Sequence, residues 1–90
     1  MHNDFFMRKT QYDKVVEEGI LPLPDILKSI DDSLEFKVKD IAALLNKSEE
    51  TVRRWIRSGQ LEPFSPGVYW VNGKELKRFI YAKLIRHRNW

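Results

Sequence analysis

Three guanidinium groups and two carboxylates fall within the segment Ser48-Glu49-Glu50-Thr51-Val52-Arg53-Arg54-Trp55-Ile56-Arg57. At about 100° per residue, a helix here gathers Val52, Trp55 and Ile56 on one side. It sets Glu50, Arg54 and Arg57 along the other, with Arg53 at the margin. Such a helix is anchored by its apolar face and leaves a cationic face free to meet a polyanion. That is the pattern of a DNA-recognition helix.

A reading helix must be held at a fixed angle, and the flanking residues supply the means. Asp40-Ile41-Ala42-Ala43-Leu44-Leu45 predicts a preceding helix, from about Val38 to Leu45, with Asp40 in its first turn. Asn46-Lys47 predicts a tight turn, because Asn tolerates the left-handed backbone conformation. Ser48 is the expected N-cap of the second helix, Glu49 and Glu50 suit its positive end, and Gly59 ends it. Two short helices around such a turn make a helix-turn-helix.

Downstream, Leu61–Phe64 and Val68–Val71 are β-prone runs separated by Ser65-Pro66-Gly67, and they predict a hairpin. Asn72-Gly73-Lys74-Glu75 predicts a capping box, opening a helix with Leu76, Phe79, Ile80 and Leu84 at helical spacing. Lys74, Lys77, Arg78 and Lys83 read as solvated positions on it. Upstream, residues 1–9 read as mobile, apart from the apolar Phe5-Phe6-Met7. A helix is expected from a Thr10 cap to Gly19, then the connector Ile20-Leu21-Pro22-Leu23-Pro24. Pro24 is expected to open a short helix reaching about Ile30, Asp31-Asp32-Ser33 to turn, and Phe36 and Val38 to form a brief extended segment. The expected fold class is mainly α with a small β-hairpin: a winged helix-turn-helix at 36–90 with an acidic N-terminal helical extension at 1–35.

Ninety residues fit one small domain, and 42% hydrophobic residues with eleven aromatics suffice for a modest core. Zero cysteines exclude disulfides, zinc thiolates and a cysteine nucleophile, and suit a reducing cytoplasm. His2 and His87 stand apart from any ligand cluster, so no metal is expected. No apolar run approaches the roughly 18 residues of a membrane span, and no signal-peptide core is present; a cytoplasmic protein without a membrane partner is expected. Ser48 has no histidine at plausible spacing, no glycine-rich phosphate loop occurs, and the acids lie in caps and turns. Neither catalysis nor a cofactor is expected.

Charge is divided unevenly. Residues 1–36 carry four Lys/Arg against eight acids, and residues 37–90 carry twelve against five. The basic part contains the helix-turn-helix, which points it toward a polyanion.

On these residues, Phe36 to Ile80 resembles the MerR-like winged-helix superfamily, and within it the excisionases of phages and mobile elements. Glu50 to Arg57 resembles an excisionase recognition helix, and Leu61-Glu62-Pro63-Phe64-Ser65-Pro66-Gly67-Val68-Tyr69 is similar to a proline-containing wing. The resemblance implies Glu50 and Arg54 as base-reading residues, with Thr51, Arg53 and Arg57 beside phosphates. Arginine can bridge guanine O6 and N7, and a carboxylate can accept from cytosine N4. Ser48 at the helix start and Arg86 and Arg88 in the basic tail complete the expected DNA-binding set. Lys37 departs from the family's usual capping Ser or Thr, Asn46 from its turn glycine, and the wing tip lacks a basic residue.

Double-stranded DNA is therefore the expected partner, with an integrase or recombinase and self-association on DNA as further expectations. The alternatives are a small transcriptional regulator and a DNA-tethered interaction module acting through residues 1–35. Trp55 is expected in the core by its phase with Val52, and Tyr69 and Trp70 are expected to face opposite ways. Residues 36–90 are expected to fold alone, against the counter-expectation that Phe5, Phe6, Val15, Val16, Ile20 and Leu21 complete the core.

Overall fold

Nine residues of helix cannot shield their own apolar face, so Val52, Trp55 and Ile56 depend on neighbouring layers for burial. Those layers are seen in a computed structural model, which describes residues 3–18 and 25–85. In chain order they are α1 (Asn3–Glu18), α2 (Asp25–Lys28), β1 (Glu35–Lys37), α3 (Val38–Leu45), α4 (Glu49–Arg57), β2 (Trp70–Asn72), α5 (Gly73–Ile80) and a π-helical turn (Tyr81–Ile85). Val38, Ile41 and Ala42 of α3, the inner residues of α4, and Leu76, Phe79 and Ile80 of α5 form one apolar cluster. Trp55 packs on Phe79 with ring centroids 4.8 Å apart, and Phe5 of α1 meets Phe79 edge-on at 5.8 Å. The fold is a mainly helical winged helix-turn-helix with a two-stranded antiparallel sheet.

The two strands pair with Phe36 opposite Val71. Just beyond the sheet, the Gly73 N–H donates to Leu34 O at 2.8 Å and the Lys74 N–H to Asp32 O at 3.3 Å. Backbone approaches so closely there that a Cβ on Gly73 would lie 1.9 Å from Asp31 O. Only glycine fits. The Asp31-Asp32-Ser33 turn forms as expected, with Asp31 Oδ1 accepting from the Ser33 N–H at 2.9 Å and its hydroxyl at 2.8 Å. These bonds hold the Asp31 carboxyl below its ordinary pKa.

Two expected elements differ. The hairpin between Leu61–Phe64 and Val68–Val71 is replaced by pairing of β1 with β2, and the wing is a loop closed by one bond, Phe64 N–H to Trp70 O at 2.9 Å. Pro63 has no N–H to give a ladder, and the Glu62 N–H donates instead to the Glu75 carboxylate at 3.1 Å. The helix expected from Thr10 begins at Asn3, and Thr10 sits inside it with its hydroxyl bonded to Phe6 O at 3.3 Å. Residues 3–9 are helical because their inner side has something to cover: Phe5 packs against the core and Lys9 is buried. Gly19 and the connector through Pro24 lie outside the described residues.

The boundary at residue 35 marks a change of charge and motif, and the core runs across it. Tyr12, Leu27 and Ile30 belong to the same cluster as Val52, and Leu27 is wholly buried. Leu27→Ala should therefore cost about 2–5 kcal/mol in urea unfolding, a large part of a small domain's stability. A loss below about 0.5 kcal/mol, the level of an ordinary surface change, would show α2 to be a dispensable appendage.

Candidate nucleic-acid interface

The turn before α4 is built as its residues require. Asn46 adopts φ 58°, ψ 48°, and the Lys47 N–H returns to Ala42 O at 2.9 Å, closing α3. In place of a side-chain cap at Lys37, its backbone N–H donates to the Asp40 carboxylate at 3.0 Å. Ser48 Oγ accepts from the Thr51 N–H at 3.1 Å and donates to Thr51 Oγ1 at 2.9 Å, fixing the first turn of α4. A cap of this kind contributes about 1 kcal/mol, and it commits both hydroxyls to the helix start.

Val52, Trp55 and Ile56 are buried, while Glu49, Glu50, Arg54 and Arg57 are exposed and Thr51 and Arg53 half-buried. The outer face is not a uniform basic stripe. Arg57 Nη2 lies 2.6 Å from Glu50 Oε2; Arg53 Nε lies 3.6 Å from Glu50 Oε1, and Arg53 Nη1 lies 3.5 Å from Glu49 Oε1. Among the described residues Arg54 forms no ion pair. The Arg57 hydrogen bond, then its charge, holds the Glu50 carboxyl below its ordinary range. Hydrogen bonds to Glu50 and then to the Tyr69 hydroxyl hold the Arg57 guanidinium more firmly protonated. Exposed pairs of this kind contribute little to stability. They orient the arginines and can be exchanged for another anion at small cost.

Beside α4, the wing turns at Ser65-Pro66-Gly67-Val68, with the Val68 N–H to Ser65 O at 3.3 Å and Gly67 at φ 86°. Proline at the second position and a positive-φ glycine at the third suit a type II turn. Phe64 stacks on Trp70 at 4.6 Å and an interplanar angle of 13°, while Tyr69 is exposed and reaches Arg57. Tyr69 is thus a wing residue felt by Arg57 of α4, a link that alternation along a strand could not foretell.

Several basic residues expected in solvent are engaged inside the fold. Lys77 pairs with Asp32 at 2.6 Å, Lys83 Nζ donates to Gln60 Oε1 at 2.6 Å, and Arg78 Nη1 donates to Glu75 Oε1 at 2.9 Å. Arg78 Nε also lies 3.0 Å from Asp13 Oδ1, as an ion pair without an aligned hydrogen bond. The capping box at Asn72 is half made: Asn72 Oδ1 accepts from the Glu75 N–H at 2.9 Å, but the Glu75 side chain turns inward to an ion pair with the buried Lys9. Arg86 and Arg88 lie outside the described residues.

No helix among the described residues is long and apolar enough to cross a membrane, and no cluster of residues there could hold a metal ion. With two helices around a left-handed turn, an anchored second helix and a wing in place, the class is that of a helix-turn-helix DNA-binding protein. The helix-turn-helix domain family matches residues 35–84, more than half of the chain, and the chain belongs to that family. No curated protein and no solved structure matches it significantly.

The Glu50 contact has a definite pH signature. Its carboxyl is depressed in the folded chain, so pairing with Arg57 is complete above the ordinary Glu value of about 4.3 and is lost as pH falls through the lower folded value. A carboxyl-carbon NMR titration should place Glu50 below the ordinary range and return it toward that range in Arg57→Gln. An ordinary midpoint in the unsubstituted chain would mean that the pair is not held in solution.

Proposed function

We propose that this chain is an excisionase-like, MerR-like accessory DNA-binding protein that directs site-specific recombination of a mobile element. The observation that carries the DNA-reading part is the exposed Arg54, without an ion pair among the described residues, at the centre of a helix anchored by three buried residues. Inserted into a major groove, α4 presents Arg54 to guanine O6 and N7 and Glu50 to cytosine N4. Ser48, Thr51, Arg53 and Arg57 then lie toward the phosphates, and Arg86 and Arg88 extend the phosphate contacts. Glu50 gives up Arg57 as it takes a base donor, and Arg57 takes phosphate in exchange.

The recombination role is supported by the resemblance of Glu50 to Arg57 and of the proline-containing wing to excisionases. In that role the protein works architecturally: it binds beside an attachment region, associates with further copies on DNA, and presents the DNA to an integrase. Footprinting on the DNA that flanks the gene tests this. Protection within recombination arms is expected; protection confined to a promoter would replace the reading with transcriptional regulation.

For a duplex selected from a random-sequence library, Arg54→Ala should weaken binding by about 1–3 kcal/mol, the worth of a bidentate base contact, with a much smaller effect on a scrambled duplex. Equal losses on both would reduce Arg54 to a phosphate contact. Affinity should also fall with salt at a log–log slope of roughly −0.9 per phosphate, for roughly four to six phosphates per protomer. A slope near zero would contradict DNA binding through the basic face.

A further inference from the structure

We propose that Lys9 of α1 and Glu75 of α5 are positioning residues for the wing, setting its angle to the recognition helix. The role in DNA binding rests on the reading of α4 given above; the role in placing the wing does not. The chain leaves α4 through a short joint in which the Gln60 and Leu61 N–H groups both return to Trp55 O, at 3.0 and 3.1 Å. From there the joint is held by side chains from elsewhere. Lys9 Nζ donates to Gln60 O at 3.0 Å and pairs with Glu75 Oε2, and the same Oε2 accepts from the Glu62 N–H at 3.1 Å. Lys83 Nζ holds the Gln60 side chain at 2.6 Å, and Leu61 between these contacts is wholly buried.

Beyond the joint, the wing is held at its far end by β2, paired to β1, and within it by the stacking of Phe64 on Trp70. Pro63 cannot donate, and one backbone bond, Phe64 to Trp70, closes the loop. The angle at which the wing leaves α4 is set at Gln60 and Glu62, where one ion pair meets the backbone at two points, the ammonium at the Gln60 carbonyl and the carboxylate at the Glu62 N–H. Both side chains are shielded, with 3% and 9% of their surface exposed, so Lys9 acts on DNA binding through the wing and not by touching DNA. It lies outside the matched helix-turn-helix segment, 35–84. The N-terminal helix is thereby part of the DNA-reading device.

The chain has no cysteine, so spin labels on Pro66→Cys in the wing turn and Lys39→Cys on α3 report the wing's position in the full-length protein. Lys9→Met/Glu75→Gln, which removes both charges together, should broaden and shift the label distance, whereas Lys9→Arg should preserve it. Leu27→Ala is the control: it is destabilised, but its joint is intact, and it should keep the narrow distribution below its melting midpoint. On the selected duplex the double variant should keep guanine N7 protection by α4 and lose the hydroxyl-radical protection contributed by the wing. An unchanged distance in the folded double variant would overturn the proposal, as would equal broadening in Leu27→Ala. A double variant without helical signal at any temperature would also overturn it, because the pair would then hold the core and not the wing. Absence of DNA binding by the unsubstituted chain would sink the function proposed above and leave the distance result standing.

Discussion

A carboxylate taken out of water must find its charge partner inside the fold, and Glu75 finds Lys9. Desolvating two ions costs several kcal/mol each, and their attraction repays this only when the remaining polar atoms are also satisfied. Here they are: Glu75 accepts from the Glu62 N–H and from Arg78, and Lys9 donates to Gln60 O. One buried pair therefore joins α1, the exit from α4 and the start of α5. Losing either partner alone would strand a charge, so the pair ties α1 to the wing joint and to α5.

The reading face depends on this interior by contrast with it. Inside, Val52, Trp55 and Ile56 fix α4 against α3 and α5 by apolar burial, which DNA cannot compete for. Outside, Glu49, Glu50, Arg53 and Arg57 are joined by pairs weak enough to be exchanged for phosphate or a base edge. In the proposed reading the helix stays rigid while its outer contacts are replaced. On the wing, Tyr69 is exposed and adds to the environment that keeps the Arg57 guanidinium protonated.

Much of this was legible in the sequence because local chemistry and the fold agree. Ser48 as a cap, Asn46 in the left-handed turn, and Trp55 inside by its phase with Val52 follow from side-chain hydrogen bonding, backbone sterics and helical period, and each is present. Legibility ended where a distant partner decides. Thr10 looks like a helix start, but Phe5 and Lys9 extend α1 backwards because α5 and the wing joint lie beneath them. Glu75 looks like the acid of a capping box until the buried Lys9 draws it inward. The wing reads as a hairpin by β-propensity, yet Pro63 denies it a ladder and β2 pairs with β1. A signal for Lys9 was available: Phe5, Lys9 and Tyr12 recur at the i, i+4, i+7 spacing of one helix face. That spacing puts the lysine on the buried side, where it needs an acid.

If DNA is read by the outer face of α4 while α1 holds the frame, an NMR titration will show both at once. The isotope-labelled full-length chain would be titrated with a duplex selected from a random-sequence library. The largest intermolecular contacts and shift changes are expected at Glu50, Thr51, Arg54 and Arg57, with smaller ones along the wing, and none at the buried Lys9 side chain beyond those transmitted through the joint. Intermolecular contacts concentrated on α1, with the outer face of α4 unperturbed, would contradict this reading.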